Sequence, residues 1–408
     1  MTQPVADFFL HHDRQRLPAL AALRYQRMQA DAFAFFRGSA PLYYARLAAA
    51  PPLPASPAVW LCGDAHVENV GSYRGDNDLV YFDVNDFDEA LRGPLLWDVG
   101  RLAVSVLLAA ARFGMPAAGR QAAVRELLAT YAATLATGKA YWLERATATG
   151  VVRQLLKAVA HRRARTLLAG RARRRGGWHL RPGPAILALS AAEHTAVRAA
   201  VEAWRLGHPA PPCGPVLDVA QRITGVGSLG VPRYIVLAKH LRSGKLPLLL
   251  DFKLAVPAAA CGSAELVQPA WPSEAHRVVQ AQTWLQAVPP ALLQAVPLLG
   301  HSFVLRALQP VADKLNFERQ PLGPVAFRAA LPDFARLLAW AHLRAAAHAG
   351  AAGPDELQAF GTAAAAWLGP MQHFAVSAAA IVREDYRAFR QACRAGILPP
   401  PPGASVST

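Results

Sequence analysis

Asp64, Asp76, Asp78, Asp83, Asp86, Asp88 and Asp98 crowd one short stretch of this 408-residue chain, with His66, Glu68, Asn69 and Glu89 among them. Carboxylates held this close repel one another unless a cation neutralises them. Hard oxygen ligands of this kind select Mg²⁺, with Mn²⁺ or Ca²⁺ as alternatives. Zinc is disfavoured, because His66 stands alone among carboxylates without His or Cys partners. The plainer reading of the same residues is a series of Asx turns capping loops.

Spacing narrows the metal reading. Asp64 and Asn69 are five apart, D-x-x-x-x-N, the spacing at which kinase catalytic loops hold a base and a metal-binding amide. Asp86-Phe87-Asp88 follows a strand-like segment, where such enzymes put their second metal-binding aspartate. Far downstream, Gly225-Val226-Gly227-Ser228-Leu229-Gly230 fits G-x-G-x-x-G. A dinucleotide fingerprint needs a helix directly after the glycines, whereas Tyr234-Ile235-Val236 is β-prone. A loop between antiparallel strands, covering phosphates with its N–H groups, fits better. Lys253 then stands where the next strand supplies a lysine to the α/β-phosphates. A plain hairpin turn and a lysine reaching solvent are the competing readings. The helix glutamate that should pair with this lysine is displaced: Gln280 and Gln282 take the mid-helix positions, leaving Glu274 or Glu265. A neutral glutamine holds an ammonium less strongly than a charged partner.

The elements that must position these groups fall into three regions. In the first, about 13–207, short strands at Val59–Cys62 and Leu79–Asp83 precede helices at Leu95–Phe113, Ala118–Leu135, Gly150–Leu168 and Ala191–Leu206. A Pro/Gly linker follows at Gly207–Pro215. The second region is a run of strands, Val216–Thr224, Val231–His240 and Leu246–Leu254, the last two joined by a turn at Ser243-Gly244-Lys245. A helix at Glu274–Ala287 and an apolar strand at His301–Leu308 complete it. The third region is helical, Ala326–Ala349 and Pro354–Ala395. The expected layout is a helical part with the catalytic loop (1–207), a small β lobe (216–310), returning helices (311–395) and a disordered tail (396–408).

Composition bounds the rest. The chain is 53% hydrophobic and 17% charged, which suits a globular protein of two lobes. No apolar run is long enough to span a bilayer and no signal peptide is visible, so a cytoplasmic protein without membrane partners is expected. Cys62, Cys213, Cys261 and Cys393 lack paired metal spacing and suggest no disulfide scaffold. Six of the 43 basic residues are lysines, and seven arginines lie between Arg162 and Arg175. That cluster can attract phosphates, but a solvated helix end followed by a basic loop accounts for it, and charge alone does not indicate nucleic acid.

The acidic segment resembles the aminoglycoside-phosphotransferase and choline-kinase branch of the kinase-like fold, with its H-G-D-x-H-x-x-N loop, I-D-F-D-like metal motif and G-D-P-x-x-D-L-A helix start. By that resemblance Asp64 is the catalytic base, Asn69 and Asp86 bind Mg²⁺ with Asp88 beside them, His66 matches the second loop histidine, and Asp98 braces the loop; Cys62 replaces the usual first histidine. Over residues 24–390 the chain more closely resembles an uncharacterised bacterial family known as domain of unknown function 2252, through Phe36-Arg37-Gly38-Ser39, CGDAHVENVGSYRGDN, VYFDVNDFDEA, RITGVGSLG and the segment ending in Lys253. Because the catalytic loop precedes the glycine loop, the implied fold is α+β, bilobal and kinase-like but circularly permuted, which is physically cheap when the original termini are close. Phe303–Gln309 is then the edge strand entering a hinge that could meet adenine. Arg37, Arg306 and Lys314 are candidate contacts for an anionic substrate. The expected activity is Mg²⁺·ATP-dependent phosphoryl transfer to a small-molecule hydroxyl. The alternatives are nucleotidyl transfer, a nucleotide-sensing pseudokinase, or a metal-dependent phosphohydrolase.

Overall fold

The computed structural model describes residues 3–162, 164–242, 244–262, 267–309, 315 and 323–399. Lys314, Glu265, Arg163, Ser243 and positions 400–408 of the expected tail lie outside the described residues.

The chain begins with four helices, α1 (Val5–His12), α2 (Pro18–Met28), α3 (Ala32–Gly38) and α4 (Ala40–Ala45). Strands β1 (Ala58–Leu61), β2 (Val70–Arg74), β3 (Val80–Val84) and β4 (Leu91–Pro94) follow, then α5 (Leu95–Arg112), α6 (Ala117–Ala136), β5 (Leu143–Glu144) and α7 (Gly150–Ala160). The next elements are α8 (Ala164–Ala169), β6 (Ala172–Arg174), β7 (Trp178–Leu180), β8 (Ile186–Leu187) and α9 (Ala191–Gly207). After β9 (Val216–Arg222), β10 (Arg233–Ala238) and β11 (Leu248–Leu254) come α10 (Glu274–Leu285), β12 (Gln294–Leu298) and β13 (His301–Ala307). Helices α11 (Pro324–Arg344), α12 (Pro354–Thr362) and α13 (Leu368–Arg394) end the chain. The architecture is mixed α+β with antiparallel sheets, as the periodicities indicate.

The main core is helical. Apolar residues fill almost every position of α5, so the helix is buried nearly throughout, wrapped by α6, α11 and α13. Gly100 matters here, because a Cβ at that position would come within 2.8 Å of the Phe374 ring. The acidic segment lies against this core. β1 pairs with β4 and β2 with β3, so residues 62–69 and 85–90 are the loops that leave those strands.

A six-stranded antiparallel sheet runs in the order β12-β13-β11-β10-β9-β8. β13 is therefore internal, not an edge. β12, which sequence reading missed, takes the edge; its Pro297 obscures the strand pattern yet is tolerated there because an edge strand can forgo a ladder donor. Leu299 (φ 53°) and Gly300 (φ 75°) make the two-residue turn into β13. α9, opened by a Ser190–Glu193 capping box, packs on one face of the sheet. α8 and the β6–β7 hairpin cover the other. α8, the β6–β7 hairpin and α9, expected with the helical part, thus pack on the sheet. The helix expected across 150–168 is interrupted between α7 and α8, and the one expected across 354–395 is divided at Ala363–Trp367.

Candidate active site

Asp98 positions the first loop. It is fully buried at the start of α5 and accepts from the backbone N–H groups of Cys62 (Oδ2, 2.8 Å) and Gly63 (Oδ1, 3.0 Å). His342 Nε2 lies 3.4 Å from Asp98 Oδ2, and its Nδ1 meets the Tyr131 hydroxyl at 2.7 Å. Two turns later Ser105 Oγ accepts from Val67 N at 3.1 Å, so α5 holds both ends of the loop. Gly63 has φ 76°, and a Cβ there would lie 1.8 Å from the Glu89 carbonyl oxygen, so only glycine lets the two acidic loops stack.

Within the loop, Asp64 Oδ1 accepts from Arg101, at 2.7 Å from Nε and 2.5 Å from Nη2. Arg101 is itself fully buried, its guanidinium over the Phe36 ring at 4.2 Å. Burial pushes the Asp64 carboxyl above its ordinary range; Arg101 opposes that push and Asp86 reinforces it. His66 Nε2 lies 3.6 Å from Asp64 Oδ2. Asn69 ties the two acidic loops together, its Nδ2 donating to the carbonyls of Asp64 and Asp86, both at 3.0 Å. Asn69 Oδ1 is buried with no hydrogen-bond partner among the described residues.

The second loop meets the sheet. Lys253, 4% exposed on β11, places Nζ 3.3 Å from Asp86 Oδ1 and in closer contact with Asp88 Oδ2. Burial raises the Asp88 carboxyl, the neighbouring Asp86 adds to the rise, and Lys253 counters it. α10 reaches the same loop through buried Arg277, which donates to the carbonyls of Asp88 (2.9 Å), Val256 (2.8 Å) and Ala90. Glu89 Oε2 accepts from Ala259 N. Burial lifts Glu89 to about 7, against the Ala259 N–H and with help from Asp64 and Asp88.

The glycine loop connects antiparallel β9 and β10 and turns through Gly225 (φ 79°) and Gly230 (φ 91°). Arg27 donates to the Gly225 carbonyl at 2.9 Å and Arg16 to that of Leu229, while Ile223 and Leu229 pack on Leu20 of α2. The loop faces a cleft of about 790 Å³ lined by Asp64, His66, Asn69, Asp86, Asp88 and Glu89 on one side. Gly225, Gly227, Ser228, Arg16 and Arg37 line the other.

Several expected residues stand elsewhere. Gln282 bonds Gln286 (3.0 Å), and Glu274 pairs with Arg277 (2.6 Å). Neither these nor Gln280 is a hydrogen-bond partner of Lys253; Asp86 and Asp88 are. Arg37 reaches the cleft but pairs with Glu68. Arg306 is absent from the cleft lining: it binds Asp251 (3.5 Å) and the Asn85 carbonyl (3.2 Å). At the expected hinge, Ala307 N donates to Ala291 O (2.8 Å), Leu308 N to Leu249 O (2.9 Å), and Gln309 O accepts from Arg222 (3.1 Å). Those backbone groups are already committed. Arg101, Arg277 and Arg16 escaped sequence reading, and Glu89 was counted in the acidic cluster without a role of its own; a signal existed only for Arg101, three residues after Asp98 and therefore on the same helix face.

Among the described residues, no group of three or more His, Cys, Asp or Glu side chains is arranged to hold a metal on its own, and no helix is long and apolar enough to cross a membrane. No curated protein and no solved structure matches the chain. A family model does match, over residues 16–392, and the chain belongs to that family, described as an uncharacterized protein conserved in bacteria (DUF2252).

Proposed function

We propose that this member of the DUF2252 family is a Mg²⁺- and ATP-dependent phosphotransferase, a circularly permuted kinase-like protein acting on a small-molecule hydroxyl. The observation that carries the reading is the pairing of buried Lys253, itself behind the cleft lining, with Asp86 and Asp88, which line the cleft together with Asp64, Asn69 and a glycine loop. A cation, carboxylates and a glycine loop around one cleft are the parts that phosphoryl transfer needs, since its catalysis is mostly positioning and charge neutralisation.

The residues fit a metal in one respect: Asn69 Oδ1, buried and unpartnered, adjoins Asp86. Asn69 and Asp86 would hold Mg²⁺, with Asp88 close by, and the ion would neutralise phosphate charge. Mg²⁺ takes one or two carboxylates plus phosphates and water, which Asp86 and Asp88 could supply together with a nucleotide. Lys253 would contact the phosphates, and its pairing with Asp88 supplies the charge partner that the helix glutamate would otherwise provide. Asp64 would accept the hydroxyl proton.

A second reading, a nucleotide-binding pseudokinase or a nucleotidyl transferase, draws support from the Arg101 clamp on Asp64, which weakens a general base. The test is ATP labelled separately at the α- and γ-phosphate, incubated with Mg²⁺ and a pool of metabolites. Phosphotransfer predicts acceptor labelled only from the γ position and lost in Asp64→Asn. Label arriving from the α position selects nucleotidyl transfer, and no transfer despite binding selects the pseudokinase.

A further inference from the structure

The sheet face that carries Lys253 borders a second cavity. Asp251 precedes Lys253 by two residues and Ile235 lies opposite Asp251, so all three share one face. The basic segment between Arg162 and Arg175 leads onto this face: α8 and the β6–β7 hairpin bury Leu168, Ala172 and Leu180 against Ile235, Leu237 and Leu249. Between the hairpin, β8 and the end of β9 remains an open volume of about 910 Å³, lined by Arg171, Arg181, Arg222, Thr224 and the Pro182–Pro184 turn.

Among the described residues, the lining of this cavity holds three arginines and no carboxylate. Arg222 shares the Asp251 carboxylate (2.6 Å) with Arg233 (2.5 Å) and Arg306 (3.5 Å). Burial would raise Asp251, yet those arginines hold it well below the usual carboxylate range. Arg222 Nη1 sits at ion-pair distance but is buried without hydrogen-bond geometry. Arg171 and Arg181 bond only backbone carbonyls, those of Leu167 and Ala169, each at 3.2 Å, and have no carboxylate partner among the described residues. Burial also lowers Arg222 to about 10 and depresses Arg171, a cost that a bound anion would offset.

We propose that Arg171, Arg181 and Arg222 form a binding site for a phosphate-class oxyanion, either free phosphate or the phosphate of a monoester. Three planar guanidiniums lining one concave volume suit a tetrahedral dianion, which offers an oxygen to each. The site is separate from the Lys253 cleft and stands whether or not that cleft transfers phosphate.

Dissociation constants for inorganic phosphate and for glycerol 3-phosphate, measured by calorimetry at constant ionic strength, test this. Arg171 and Arg181 are the residues to change, because neither supports Asp251. Wild type and Lys253→Ala should bind alike, while Arg171→Ala/Arg181→Ala should lose about tenfold or more in affinity, from charge-assisted bonds removed. The unliganded variant should remain folded, with a melting temperature lowered only by the loss of its two bonds to the Leu167 and Ala169 carbonyls. Tighter binding of the monoester assigns an esterified phosphate; tighter binding of the free ion assigns phosphate itself. The proposal is overturned if wild type binds neither anion, if the double variant binds as well as wild type, or if only Lys253→Ala loses binding.

Discussion

Arg101 grips Asp64 with two nitrogens, Nε at 2.7 Å and Nη2 at 2.5 Å, from one turn beyond the aspartate that holds the same loop. The clamp fixes the carboxylate that faces the cleft and opposes the rise in proton affinity that burial imposes on it. Arg101→Met should therefore raise the Asp64 pKa further. The acidic limb of the activity–pH profile should move to higher pH, and stability at neutral pH should fall by about 3 kcal/mol, the scale of a broken buried pair. A rate profile from pH 5 to 9, alongside urea unfolding, measures both.

Asp98 carries a structural prediction. Asp98→Ala strands the buried N–H groups of Cys62 and Gly63, which should cost about 2–5 kcal/mol. Asp98→Asn keeps an acceptor for one of them and should cost less. Equal losses in urea titrations would show that the loop does not depend on those two bonds.

Glu89 should give the fold a pH dependence of definite sign. Its carboxyl sits at about 7 in the folded protein against an ordinary 4.5, so folding favours the protonated form. That stabilisation is complete below about pH 4.5 and is lost as pH rises through about 7. Glu89→Gln keeps an acceptor for Ala259 N and mimics the protonated state. The variant should match wild type at pH 4.5 and exceed it at pH 8 by at most about 3 kcal/mol, read from urea midpoints.

Asn69 should govern metal dependence. With Oδ1 unpartnered and Nδ2 bridging two loops, Asn69→Ala should raise the Mg²⁺ concentration for half-maximal ATP consumption by about tenfold or more. It should also lower stability by about 1–3 kcal/mol, through the stranded carbonyls of Asp64 and Asp86. An unchanged Mg²⁺ requirement would remove Asn69 from the metal site.

Much of the scaffold was legible because its signals are local. β9, β10 and β11 alternate or run apolar between glycine turns, and α5 follows directly on Gly93-Pro94. Missed features depend on contacts distant in sequence. Nothing near Gln294–Leu298 marks a strand until β13 is there to pair with it. The segment 164–187 reads as a helix end and a basic loop, because only the underlying sheet reveals which of its few apolar residues are buried. In the site, Asp98 and Lys253 sit in recognisable patterns. Arg277 and Glu89 do not, since an arginine that binds three carbonyls and a glutamate lifted by burial look ordinary until the surrounding chain is in place. The pairing of Lys253 was misjudged for the same reason: the expected partner was sought on α10, and Asp88 came from the loop instead.

The central claim is that Lys253 and Asp86, 167 residues apart in sequence, act on one Mg²⁺·nucleotide. Calorimetric titration of Mg²⁺·ATP into wild type, Lys253→Ala and Asp86→Asn measures this most directly. The account predicts one site per chain in wild type, affinity reduced by about tenfold or more in each variant, and binding that weakens when Mg²⁺ is chelated. Wild-type protein that does not bind Mg²⁺·ATP, or variants that bind it with unchanged affinity, would contradict it.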